Sequence, residues 1–302
     1  MDPVFLNFRD NGLEKEYRNS LLTKAMHTGD RKQRFRVLTR LAVLAREKYR
    51  LETPTSMVVK LTLLAFVVMP LVENAIRKRM PRAMFYEYWE NVAMMLGLLN
   101  VSFLTLAMGQ RLLDESHPLV PPQFIDAAAF KIFILCSGVL LHIFNVWWYT
   151  LRFKNFLKLA TYTFAITALS QASLACEKIL VRSTLIATLR DASCLLNLAS
   201  QSTFLPAPSL GRAVECGASD ADACRQTLVF TNLWVGVLGS LGWIWFSERK
   251  SRGWFLENLN AGVEHRGRIP VIAERCWWEG AILFLLVCPL AWAFVSFING
   301  QW

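Results

Sequence analysis

Charge is scarce in this sequence. Only 19% of its 302 residues are Asp, Glu, Lys or Arg and 54% are hydrophobic, whereas an ordinary soluble domain carries roughly 25% charge. That balance excludes a disordered tail, and length and composition also exclude a collagen or a small disulfide scaffold. Histidine is scarcer still. Four in the whole chain are too few for a histidine-rich di-iron membrane oxidase, and one within the apolar runs cannot supply paired haem ligation. No G-x-x-x-x-G-K-[ST] phosphate loop, no H-E-x-x-H zinc motif and no C-x-x-C pair occurs. The last two apolar runs hold no lysine for a retinal Schiff base, and no inverted repeat of the transporter kind stands out. Catalysis, a cofactor and a metal site are therefore not expected.

What the chain has in quantity is apolar and aromatic surface, including 20 Phe and 11 Trp. A helix needs about 20 mostly apolar residues to cross roughly 30 Å of hydrocarbon. Five stretches meet that requirement: Asn91–Gln110, Ala127–Tyr149, Phe156–Cys176, Thr227–Phe246 and Gly280–Ile298. Their only basic residues, Lys131 and Lys158, lie within a turn of an end, where a long side chain can snorkel to the interface. The runs are continuous rather than alternating, which argues against a barrel. The expected fold class is all-α, a multi-pass helical membrane protein. A sixth stretch, Ser56–Ile76, has an uncharged core of only 12 residues, flanked by Lys60 and Glu73 and interrupted by Pro70. It fits a crossing or a re-entrant segment equally well.

Residues 1–55 differ in kind from the membrane domain expected over 56–302. They hold 12 Lys and Arg, and Met1–Gly12 lacks the apolar core of a secretory signal. Over Gln33–Arg50, apolar Phe35, Leu38, Leu41, Ala42, Ala45 and Tyr49 recur at helical spacing among Arg34, Arg36, Arg40, Arg46, Lys48 and Arg50. Such a helix lies on an anionic leaflet, packs against the membrane bundle, or serves as a calmodulin target.

Basic residues also order the loops, since Lys and Arg concentrate on the cytoplasmic side. The N-terminal region carries 12, residues 77–90 carry 4, residues 150–158 carry 3 and residues 247–279 carry 6. Residues 111–126 carry 1 and residues 177–226 carry 5. If Ser56–Ile76 does not cross, the division is 25 inside against 6 outside; if it crosses, 18 against 13. The first arrangement predicts the N-terminus inside, residue 302 outside and five crossings. It also explains the net charge of +10 by topology and anionic lipid, without nucleic acid. Trp147, Trp148 and Tyr149, Trp243 and Trp245, and Trp277 and Trp278 mark run ends as interfacial belts do.

Cys176, Cys194, Cys216 and Cys224 lie in or beside the long 177–226 loop, on the outer side in the first arrangement, where disulfides persist. Four cysteines allow three connectivities. Cys216–Cys224, closing the turn-rich stretch at Gly217-Ala218-Ser219-Asp220, is the first expectation. Among polar groups inside the runs, His142 and Asn145 stand three residues apart on one helical face. They could sense pH, relay a proton or line a pathway, although a buried His bonded to a neighbouring helix is the commoner arrangement. Asn100, Ser102 and Gln171 read most simply as interhelical hydrogen-bonding groups.

Near the N-terminus, Phe8, Leu13, Glu14 and Tyr17 match in spacing an F-x(4)-L-E-x-x-Y element. The run Phe8–Tyr17 thereby resembles the element preceding the six-helix membrane regions of transmembrane adenylyl and guanylyl cyclases. No cyclase catalytic domain is expected after the last apolar run, so no metal-binding aspartate or nucleotide site carries over. The cyclase plan would also put residue 302 inside, against the charge count. The resemblance implies a stand-alone membrane sensor or anchoring module. The expected role is non-enzymatic: a receptor-like or accessory subunit of a plasma-membrane or endomembrane assembly, with other membrane subunits or further copies as partners. The alternative is an ion channel or small-solute transporter with a polar pathway near His142, Asn145 and Asn100.

Overall fold

The computed structural model describes residues 8, 10–23, 37–38, 57–114, 125–149, 151–178, 184–204, 219–260, 284–285 and 287–296. Among the described residues every element is helical and none is a strand, as continuous apolar runs require. The order is α1 (residues 11–23), α2 (Met57–Arg79), α3 (Arg82–Asp114), α4 (Ile125–Cys136), α5 (Val139–Trp148) and α6 (Phe153–Ser170). Then follow α7 (Ala172–Lys178), α8 (Leu185–Phe204), α9 (Asp220–Thr231), a π-helical turn (Asn232–Leu238), α10 (Gly239–Asn260) and α11 (Val287–Ser296). The basic helix expected over Gln33–Arg50 lies outside the described residues except for Val37 and Leu38, which are helical.

Three stretches are long and apolar enough to cross a membrane: Tyr88–Leu106, Phe153–Glu177 and Asp220–Glu257. They coincide with three of the five expected runs. The other two do not form such a stretch among the described residues. Ala127–Tyr149 is divided into helices of 12 and 10 residues, because Gly138 adopts φ +71°, a left-handed conformation that ends a helix. The described part of Gly280–Ile298 is mainly the shorter helix α11. The sixth run forms one unbroken helix, α2, which continues through Pro70 for 23 residues.

The chain comprises two compact units: Met1–Leu104 with Phe144–Ala160 and Ser240–Gly280, and Thr105–Ile143 with Thr161–Gly239 and Ala281–Trp302. In the first, Phe85 stacks on Trp89 at 5.0 Å, and Phe156, Leu159 and Ala160 are fully buried. In the second, the core gathers Ala129, Ala175, Cys224, Leu228, Phe230, Trp292 and Val295. The indole of Trp292 packs edge-on to Phe230 and donates to Asn197 Oδ1 at 2.8 Å, so its N–H is satisfied where it is buried.

Cys224 bonds to Cys176, with Cα atoms 5.8 Å apart, and not to Cys216 as first expected. The Ser219 hydroxyl caps α9 by accepting from the Asp222 N–H, with Asp220 and Asp222 in the first turn favouring the dipole. Helix from Asp220 onward buries Cys224 against α7, where Cys176 is also buried. Cys194 is disulfide-bonded as well, and Cys216 lies outside the described residues. The 177–226 region contains a 20-residue helix, α8, packed on α9.

Candidate functional site

In the first unit, five charged side chains from four separated parts of the sequence meet. Asp10 starts α1 by accepting from the Gly12 N–H at 2.7 Å, and α1 then presents Glu14 and Tyr17. Glu14 takes Arg252 in a two-pronged contact, Nη1 to Oε2 at 2.6 Å and Nη2 to Oε1 at 3.0 Å. It also accepts from Arg152 Nη1 at 2.9 Å and from the Phe8 N–H at 3.0 Å. Each arginine has a second carboxylate behind it. Arg152 Nε donates to Glu90 at 2.8 Å, and Arg252 Nε donates to Glu248 at 2.9 Å. The Arg152 and Phe153 N–H groups donate to Glu90 and Glu248 at 2.9 and 2.6 Å.

Burial makes this pairing obligatory. The Arg252 side chain is 0% exposed and those of Glu90 and Glu248 are 4% and 6%; a charge taken out of water is tolerated only when paired and hydrogen-bonded. The Arg252 guanidinium lies over the Tyr17 ring at 4.2 Å and the Phe8 ring at 4.9 Å, and both rings pack on Phe255. Burial pushes the Glu14 carboxyl up, but hydrogen bonds from Arg252 and Phe8, the Arg252 charge and the Arg152 bond outweigh it. They hold it below the ordinary carboxylate value. Burial, unopposed on balance, pushes the Tyr17 hydroxyl up to about 12. The network thus joins α1 to the start of α3, the α5–α6 connection and α10. These are the four Lys- and Arg-rich regions of the sequence.

A second, uncharged constellation lies in the second unit. His142 Nε2 is 3.0 Å from Asn232 Oδ1, Asn232 Nδ2 donates to Thr167 Oγ1 at 2.6 Å, and Thr167 donates to the Thr163 carbonyl at 2.7 Å. The terminal carbonyl only accepts, which fixes the direction of every bond before it and makes Nε2 the protonated nitrogen of His142. Two of these side chains stand within a turn of a helix irregularity: His142 after the Gly138 break, and Asn232 at the start of the π-helical turn. Thr167 lies in α6, its carbonyl accepting from the Gln171 N–H at the α6–α7 junction at 3.0 Å. Close approach needs glycine here. A Cβ on Gly236 would meet the His142 ring at 2.7 Å, and one on Gly138 would meet Thr167 at 3.0 Å.

Of the residues expected to form a polar membrane site, His142, Asn145 and Asn100 are all buried. His142 belongs to the second unit, whereas Asn145 and Asn100 belong to the first. Asn232 and Thr167, the partners of His142, were not singled out in the sequence, although an Asn inside the apolar run Thr227–Phe246 marks such a position. Arg152 and Arg252 entered the sequence reading only through the basic-residue counts of their loops, and Glu90 and Glu248 were not singled out. Phe8, Glu14 and Tyr17, quoted for the cyclase resemblance, are the α1-side members of the charged network. Compared with known proteins, the chain matches no family model, no curated protein and no solved structure.

Proposed function

We propose that the chain is an integral membrane protein with a non-enzymatic, receptor-like or accessory role, whose N-terminal helix is docked on the cytosolic end of its membrane helices. The observation that carries this reading is the Glu14 network. It gathers the N-terminal region, residues 77–90, residues 150–158 and residues 247–260 around one set of ion pairs, which supports a common side for all four. With that side cytosolic, five runs cross, α2 does not, residue 302 is outside, and the Cys176–Cys224 disulfide faces an oxidising compartment. The dock is a mechanical link: a rearrangement that carries Arg252 away from Arg152 takes two of the four bonds of Glu14 if Arg252 leaves, or one if Arg152 leaves, and so weakens the hold on α1. Expected partners are anionic lipid and other membrane subunits or further copies of the chain, at the plasma membrane or an endomembrane.

A channel or small-solute transporter is the second reading, favoured by the hydrogen-bonded chain Thr167–Asn232–His142 beside interrupted helices. Interrupted helices and π-helical turns are frequent at transport and other functional sites. Purified protein in liposomes discriminates the two. The receptor-like reading expects no flux of protons or monovalent ions under an imposed gradient; flux that disappears in His142→Ala replaces it by the second reading.

A further inference from the structure

The carboxylate of Glu14 occupies a receptor for an oxyanion. Two guanidiniums converge on it with three N–H donors at 2.6, 2.9 and 3.0 Å, the fork geometry that also receives phosphate oxygens. Glu90 holds Arg152 by Nε, and Glu248 holds Arg252 by Nε and also by Nη2 at 2.7 Å, so both guanidiniums keep a partner if Glu14 departs, and the remaining charges of Arg152, Arg252, Glu90 and Glu248 sum to zero. Lys154 lies two residues after Arg152, and Arg249 and Lys250 lie three and two residues before Arg252, which adds positive charge to both segments. Glu14 itself is held in place by a short helix whose other anchors include Phe8 and Tyr17 on Phe255 and the buried Leu22.

We propose that Arg152 and Arg252 form a binding site for a phosphate group, closed by Glu14 acting as an internal ligand, and that phosphate and α1 compete for it. Phosphate presents oxygens to the same Nη donors and carries more charge than the carboxylate it replaces. Occupation displaces Glu14, takes Phe8 and Tyr17 off Phe255, and releases α1. The phosphate comes either from solution or from a lipid headgroup in the facing leaflet. This deepens the receptor-like reading by naming its ligand class and rests on it only for the signal, not for the site.

The test uses the full chain in nanodiscs. Inorganic phosphate binding is measured by calorimetry for the wild type and Glu14→Gln, with the disulfide and thermal transition checked in each. Removing the internal competitor is expected to tighten binding about tenfold or more, because a site open only a small fraction of the time loses affinity in proportion. Adding Arg252→Lys to Glu14→Gln, which keeps the charge and loses the fork, is expected to reverse the gain. Equal binding by wild type and Glu14→Gln, or none by either, overturns the proposal. Amide exchange over residues 11–23 then separates the sources. Release of α1 by soluble phosphate in neutral phosphatidylcholine discs assigns a soluble ligand; release only in discs containing phosphatidylinositol phosphate assigns a headgroup. Phosphate binding to the wild type without faster α1 exchange overturns the proposed competition, whereas ion flux in liposomes with the Glu14→Gln gain intact refutes the receptor-like reading alone.

Discussion

Replacing Glu14 by Gln removes the charge at the centre of the dock while keeping its shape. The wild-type carboxylate accepts two bonds from Arg252, one from Arg152 and one from the Phe8 N–H. A Gln retains one acceptor oxygen and turns its amide toward a guanidinium. Breaking a buried ion pair by removing one partner costs about 3–5 kcal/mol. Here the side chain is 17% exposed and both arginines keep a second carboxylate, so the loss is smaller, about 2–4 kcal/mol. Each 1.4 kcal/mol is a factor of ten, so amide exchange over residues 11–23 should accelerate about 30- to 1,000-fold. The effect is local: exchange in α9, which the Cys176–Cys224 bond anchors, should stay within threefold of wild type on the same scale of about 1.4 kcal/mol per decade. Hydrogen–deuterium exchange with mass spectrometry reads both. Acceleration under threefold in α1 with the protein folded would refute the reasoning, since the dock would then rest on its aromatic contacts alone.

Docking should also depend on pH. The folded value of Glu14 lies below its unfolded value, so the stabilisation is present above about pH 4.3 and is lost as pH falls through the folded value. α1 exchange should therefore rise on acidification in the wild type and be flat over that range in Glu14→Gln. Tyr17, with its hydroxyl raised to about 12, should stay un-ionised to higher pH than ordinary tyrosine; in ultraviolet titration it is the late component that Tyr17→Phe removes. Cys176→Ser, opening a loop of 48 residues, should cost about 4 kcal/mol on the chain-entropy account. Peptide mapping without reductant should recover Cys176 linked to Cys224, and a Cys216–Cys224 peptide would contradict the pairing. Gly138→Ala combines a positive φ with a 3.0 Å approach to Thr167 and should lower stability by about 1–3 kcal/mol, read as a fall in melting temperature.

Helix positions were legible because an apolar run of sufficient length has few other structures open to it. Asn91–Gln110 lies inside α3, and Phe156–Cys176 and Thr227–Phe246 are helical throughout except for the turn residue Gln171. Interruptions were not legible. Gly138 sits in an apolar run whose hydropathy continues through it, and its effect comes from one dihedral that allows Thr167 and Asn232 to approach. The charged network was invisible for a different reason. Arg152 and Glu90 are 62 positions apart, and Arg252 and Glu14 are 238 apart; each taken alone looks like a solvated charge beside an apolar run. Only the folded chain shows that they bury one another. Cysteine pairing failed likewise: nearness in sequence favoured Cys216 for Cys224, while α9 buries Cys224 against α7.

The sidedness of residue 302 relative to the N-terminus tests the central claim most directly. A tag after Trp302 and another before Met1 are labelled in intact cells with a membrane-impermeant reagent. The account predicts labelling of the C-terminal tag without permeabilisation and of the N-terminal tag only after it. Both tags on the same side would contradict it: six crossings would then hold, and the 177–226 region would share the cytosol with the Glu14 network.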